Sequence, residues 1–190
     1  MHNGCGHPGR DDESGTVAMI IRLSQKLSEK IKAGQLKQMP LHENPFVDWS
    51  AHLFVADRTQ YVIVTNSQSL YSTVLFGKGI RNDSELIERA VGSIREFMEN
   101  DSQGFVYRRF VAPHSAAVSF AKALNRSVTG SMNELIIHAK VWLTEGGLAP
   151  HDVGFKLNDV LLSSLATSKA DFYRKPREVF KELVNNIRPT

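Results

Sequence analysis

The sequence predicts an α+β domain in which an antiparallel sheet is packed by amphipathic and buried helices. Three stretches carry that expectation. The first is Ala51–Phe76, AHLFVADRTQYVIVTNSQSLYSTVLF. Its apolar runs, Leu53–Ala56, Tyr61–Thr65 and Leu70–Phe76, are separated by short polar gaps. β-branched and aromatic residues suit a pleated surface, and such gaps allow only tight antiparallel connections, so the stretch reads as a three-stranded meander. Tyr61-Val62-Ile63-Val64 is apolar on both strand faces, as a central strand covered on each side should be. The second stretch is 82–99, where Leu86, Ile87, Ala90, Val91, Ile94, Phe97 and Met98 share one helical face and Glu85, Glu88, Arg89, Arg95, Glu96 and Glu99 the other. The third is the segment from Ser131 to about Glu145. It is apolar around most of its circumference and is therefore expected to lie buried across the sheet.

The remaining elements follow in order. Met19–Leu23 (MIIRL) reads as a strand. Ser24 caps a helix over Gln25–Ala33 that Gly34 stops. Gln35–Asp48, with Pro40 and Pro45, reads as a long loop whose Phe46, Val47 and Trp49 tuck under the sheet. Asn82 with Glu85 forms a capping pair for the amphipathic helix, and Glu85 is spaced to pair with Arg89. Phe105–Val111 (FVYRRFV) alternates like a strand, and Ser115 is placed to cap a helix over Ala116–Asn125. Ser131-Met132-Asn133-Glu134 fits the S-x-x-E capping box, with Gly146-Gly147 as the stop. A short helix is expected around Leu157–Leu165, and Pro176 suits the first turn of a last helix over Arg177–Asn186.

The chain has 190 residues, 42% hydrophobic and 23% charged, which fits one globular domain. No apolar run approaches the roughly 18 residues of a membrane span. Residues 1–18 are poor in groups to bury and read as a disordered leader before a single domain over 19–190, with Met19 a candidate natural start. His2, Cys5 and His7 in that leader are too loosely placed to predict a metal site, and no cofactor is expected. A single cysteine leaves no intrachain disulfide and suits a reducing cytoplasm. The net charge is +3; residues 1–18 hold Arg10 against Asp11, Asp12 and Glu13, so the rest carries 22 Lys+Arg against 17 Asp+Glu. That mild excess permits an anionic partner without demanding one.

The runs MIIRLSQKL, NPFVDWSAHLF with TNSQSLYS, and NRSVTGSMNEL resemble a bacterial family defined only as a domain of unknown function. Its motif is similar to Asn125, Arg126, Ser127, Gly130, Ser131, Asn133 and Glu134 here. The likeness spans roughly residues 19–165. It implies one intracellular domain and brings no activity or cofactor with it.

No G-x-S-x-G elbow, phosphate-loop or dinucleotide glycine pattern, zinc-finger cysteine pair or H-E-x-x-H helix occurs. Three features remain. From Ser102 through Asn133 there is no Asp or Glu, while Arg108, Arg109, Lys122 and Arg126 occur with Tyr107 and Phe110 interleaved. Such a surface suits nucleic acid or another polyanion, although the arginines can equally satisfy acids such as Asp48, Glu88 or Asp159. A helix starting at Ser131, preceded by Arg126, Ser127 and Gly130 and carrying Asn133, would aim free amides at an anion; capping of a buried helix explains the same residues. Glu134 and His138, one turn apart, can share a proton, with His114 a further candidate; a hydrogen-bonded half-buried histidine is the plainer account. The expectation is a cytoplasmic domain that binds an anionic partner near Arg108, Arg109, Arg126 and Ser131. The alternatives are an enzyme for a phosphate-containing substrate, or a subunit of an assembly joined through a sheet edge or the C-terminal helix.

Overall fold

Five strands form one mixed sheet, described by a computed structural model that covers residues 18–167 and 172–187. Residues 1–17 lie outside the described residues, and with them His2, Cys5, His7 and nearly all of the expected leader. The strands are β1 (Met19–Leu23), β2 (Asp48–Ala56), β3 (Thr59–Asn66), β4 (Ser72–Phe76) and β5 (Val118–Lys122), in the spatial order β4-β3-β2-β1-β5. The predicted meander is β2–β3–β4, antiparallel throughout. β1 instead runs parallel to both β2 and β5, so the sheet is mixed and not antiparallel as expected. The reason lies in the connections: α1 (Gln25–Ile31) carries the chain from β1 back to the start of β2, which a parallel pairing requires.

Local chemistry accounts for the turns and caps. Asp57 and Arg58 both adopt positive φ (43° and 61°), so β2 and β3 are joined by a two-residue turn whose twist matches the strands. The Asn66 side-chain carbonyl accepts from Ser69 N–H (3.0 Å) and Ser69 Oγ (2.8 Å), while its amide donates to Pro45 O (2.6 Å). One side chain thereby shapes the β3–β4 loop. Ser24 caps α1 as predicted, although the helix ends at Lys32 in the left-handed conformation (φ 56°), before Gly34. Asn82 caps α2 (Asp83–Asn100), but Glu85 accepts from Arg81 N–H, and Arg89 turns to the carbonyl of Lys78.

Two expectations for 105–125 exchange places. Phe105–Val111 is no strand: after the α2 C-terminus the chain forms α3 (Gly104–Val106), a π turn over Tyr107–Val111 and a 3-10 turn over Ala112–His114. The doublets Val106-Tyr107 and Phe110-Val111 repeat at i, i+4, so the same residues also satisfy a helical face, with Val106, Tyr107 and Val111 buried. The predicted helix over Ala116–Asn125 is β5, because its residues complete the β1 edge from Met19↔Val118 to Leu23↔Lys122. Pairing with a buried strand outweighs the helix propensity of the alanines.

The next helix, α4, spans Arg126–Thr144 and begins ahead of the predicted start at Ser131. Asn125 is the cap, its Oδ1 accepting from Val128 N–H at 2.9 Å. Ser131 sits inside the helix, its hydroxyl hydrogen-bonded to Ser127 O (3.0 Å) and to Ser164 Oγ (2.7 Å), so the S-x-x-E pattern is not used as a capping box. α4 is also only half buried: Met132, Leu135, Ile136 and Ala139 face inward, while Ile137 and Val141 are exposed. The helix expected at Leu157–Leu165 lies earlier, as α5 (Pro150–Leu157), followed by a 3-10 turn at Ser163–Leu165. α6 (Pro176–Ile187) starts at its proline as predicted.

The sheet separates two apolar cores. Met19, Ile21, Trp49, Ala51, Val62 and Val64 face α1, α2, the π turn and α6. Phe54, Ala56, Tyr61, Ile63 and Val74 face α4 and α5. Between β1 and β2, fully buried Arg22 and Asp48 form a two-point ion pair, Nε–Oδ1 2.8 Å and Nη2–Oδ2 2.7 Å. Arg22 also donates to Met39 O and Pro40 O, which anchors the long loop. No helix among the described residues is long and apolar enough to cross a membrane.

Candidate functional site

The predicted cationic residues lie on separate elements. Arg108 and Arg109 are exposed on the π turn, whose buried residues join the α1/α2/α6 core, whereas Arg126 opens α4 in the other core's layer. Ser127, Gly130, Ser131 and Asn133 all lie within α4, so the amides of Gly130, Ser131 and Asn133 are not at a helix start. Ser127 and Ser131 do meet Ser67, Gln68 and Ser164 around a polar notch of about 60 Å³. The TNSQSL and NRSVTGS runs thus meet there, and two of their hydroxyls are engaged within the fold: Ser131 with Ser164, and Ser67 with Ser50 (3.0 Å).

His114 lies on the 3-10 turn with its ring edge-on to His42 of the long loop (6.2 Å between centroids), and so belongs with that loop and not with α4. His42 is buried; burial, partly offset by Asp48, lowers its pKa below the ordinary histidine value. Glu134 and His138 share no hydrogen bond among the described residues. His138 instead stacks on Trp142, one turn further, at 5.6 Å and 26°.

That stacked pair opens onto a cleft of about 700 Å³ between α4 and α5. Trp142, Phe155, Val160 and Leu161 give it apolar walls; His138, Lys156 and Asp159 give it polar ones. Lys156 Nζ stands 5.8 Å from the Trp142 ring centre, within cation–π range. Its ammonium has no carboxylate partner among the described residues. The Asp159 carboxylate accepts from Arg177 Nε (3.4 Å) and lies 4.0 Å from Lys175 Nζ. Arg177 in turn pairs with Asp101 and donates to Phe155 O (3.3 Å), tying α6 to the cleft floor. Burial, reinforced by the Asp101 carboxylate that accepts from its hydroxyl at 2.6 Å, pushes the Tyr71 phenol far above its usual range.

The acid of the cleft thus has two cationic neighbours, while its lysine has no carboxylate partner among the described residues. Sequence reading named His138 but missed Trp142, Phe155, Lys156 and Asp159. The signal was present at Pro150, a first-turn proline followed by Asp152, which marks the start of α5 about two turns before the place predicted. Among the described residues no three His, Cys, Asp or Glu side chains gather as a metal site.

These features define a two-cored α+β domain on a mixed sheet with an amphipathic cleft between α4 and α5. Residues 20–179 match the family model described as domain of unknown function DUF6933, and the chain belongs to that family. No curated protein and no solved structure matches it.

Proposed function

We propose that the protein is a binding domain for a small anionic molecule with an apolar or aromatic body, taken up in the α4–α5 cleft. The observation that carries this reading is Lys156, a cation without a carboxylate partner among the described residues, set over Trp142 at the mouth of an apolar-walled cleft. Apolar walls with a few convergent polar groups are the usual make-up of small-ligand sites. Lys156 and the His138 ring supply charge and hydrogen bonding to a carboxylate or phosphate, and Trp142, Phe155 and Leu161 supply contact with the body. Asp159, held by Arg177 and Lys175, repels the anion less than a bare carboxylate would. Arg126 takes no part: the length of helix between them puts it about 18 Å from His138.

The test is a titration with nucleoside monophosphates, aromatic carboxylates and inorganic phosphate, followed by Trp142 fluorescence and by thermal shift. Binding by the first two groups, weakened about tenfold or more in Lys156→Ala, supports the reading. If no member of the panel binds, or if Lys156→Ala and Trp142→Phe leave binding unchanged, the cleft is not the site.

A further inference from the structure

The outer face of α4 carries large apolar groups into solvent, and its charges are arranged symmetrically about one of them. Gly130, Asn133, Glu134, Ile137, Lys140, Val141 and Thr144 form a continuous exposed stripe at i, i+3, i+4 spacing. Ile137 is 64% exposed and Val141 44%. Glu134 lies three residues before Ile137 and Lys140 three residues after it. Neither charge has an ion-pair partner among the described residues.

We propose that this stripe is a self-complementary interface through which two copies of the chain pair, with their α4 helices antiparallel about a two-fold axis at Ile137. A two-fold contact places each residue opposite its mirror position, so self-complementary patterning is the requirement. With the axis at Ile137, the two Ile137 side chains meet at the centre. Glu134 of each copy then faces Lys140 of the other, giving two equivalent ion pairs. Asn133 faces Val141, and Gly130 faces Thr144 at each end. Nothing lies within 4 Å of where a Gly130 Cβ would stand, so the helices can approach closely there. An axis moved one turn along the helix, to Val141, would set Lys140 against Trp142 and carry Glu134 past the end of the other helix, leaving both charges unmatched. The charge pattern thus selects both the partner and the register. This contact differs from the sheet edge and the C-terminal helix considered from sequence. It also stands independently of the ligand reading, since it uses neither Lys156 nor the cleft walls.

Charge exchange at two exposed positions tests it without disturbing either core. Sedimentation equilibrium of the full chain between about 1 and 200 µM should show a monomer–dimer equilibrium. Glu134→Lys alone turns both pairs repulsive, and Lys140→Glu alone does the same; each should weaken association roughly tenfold or more. The double exchange Glu134→Lys with Lys140→Glu restores opposite charges across the axis and should recover the dimer. A monomer over the whole range overturns the proposal. So does a dimer indifferent to the single exchanges, or a double exchange that fails to rescue. Ile137→Ser provides the apolar control and should abolish pairing while leaving far-UV circular dichroism unchanged.

Discussion

Replacing Asp48 by Asn keeps the shape of the side chain and removes one charge from a fully buried pair. In the native fold Arg22 Nε and Nη2 donate to the two Asp48 oxygens at 2.8 and 2.7 Å, and the remaining guanidinium donors go to Met39 O, Pro40 O and, at 3.5 Å, Lys122 O. Asp48 Oδ2 also accepts from His42 N–H at 3.0 Å. The pair therefore joins β1, β2, the end of β5 and the long loop. Asp48→Asn strands a guanidinium in a site with no solvent access, and breaking a buried pair in this way costs about 3–5 kcal/mol. Against a total stability of roughly 5–15 kcal/mol, that is a large share of what holds the domain folded. For a domain of this size the melting temperature should fall by roughly 6–20 °C. Urea melts of wild type and variant measure the difference, and amide exchange should show the 37–42 segment losing protection first. The double variant Arg22→Met with Asp48→Leu should lose less than Asp48→Asn, because no charge remains buried. A loss below about 1 kcal/mol for Asp48→Asn would refute the claim that this pair anchors the loop.

Three further outcomes are expected. Burial pushes the His52 imidazole down to about 4, so as acid is added the unfolded chain takes up its proton first. Stability should be complete above about pH 6.5 and decline toward pH 4 by up to roughly 3 kcal/mol, a limb that His52→Leu should flatten and that NMR titration of the ring can locate. Gly154→Ala should destabilise by about 1–3 kcal/mol despite its better helix propensity, since the added Cβ would stand 2.8 Å from Phe97 Cε2 in a ring cluster with Tyr71 and Phe155; a more stable variant in thermal melts would contradict that packing. Asn125→Ala should cost about 1 kcal/mol by removing the α4 cap, whereas an Ala at Ser127, exposed in the first turn, should cost less; equal losses in urea melts would argue against the observed helix start.

Local pattern alone determined the parts of this protein whose partners are near in sequence. The meander over β2, β3 and β4 is legible because each strand pairs with the next through a short connection. Ser24, Asn82 and Pro176 announce helix starts because capping is settled within one turn. Tertiary structure decided what depends on remote partners. FVYRRFV satisfies a period of two and a helical i, i+4 repeat alike, and what makes it a turn of helix is that the β1 edge is already taken by Val118–Lys122. Ser131 carries a capping signature, yet Asn125 caps the helix more than a turn earlier, and Ser164 offers the Ser131 hydroxyl a partner 33 residues away. The cleft arises in the same way, from His138 and Trp142 on one helix and Phe155, Lys156 and Asp159 on and after another, with Arg177 from a third holding the floor. Their meeting is fixed by how the helices pack on the sheet, because side chains far apart in sequence share a site only when burial of their helices' inner faces brings them together.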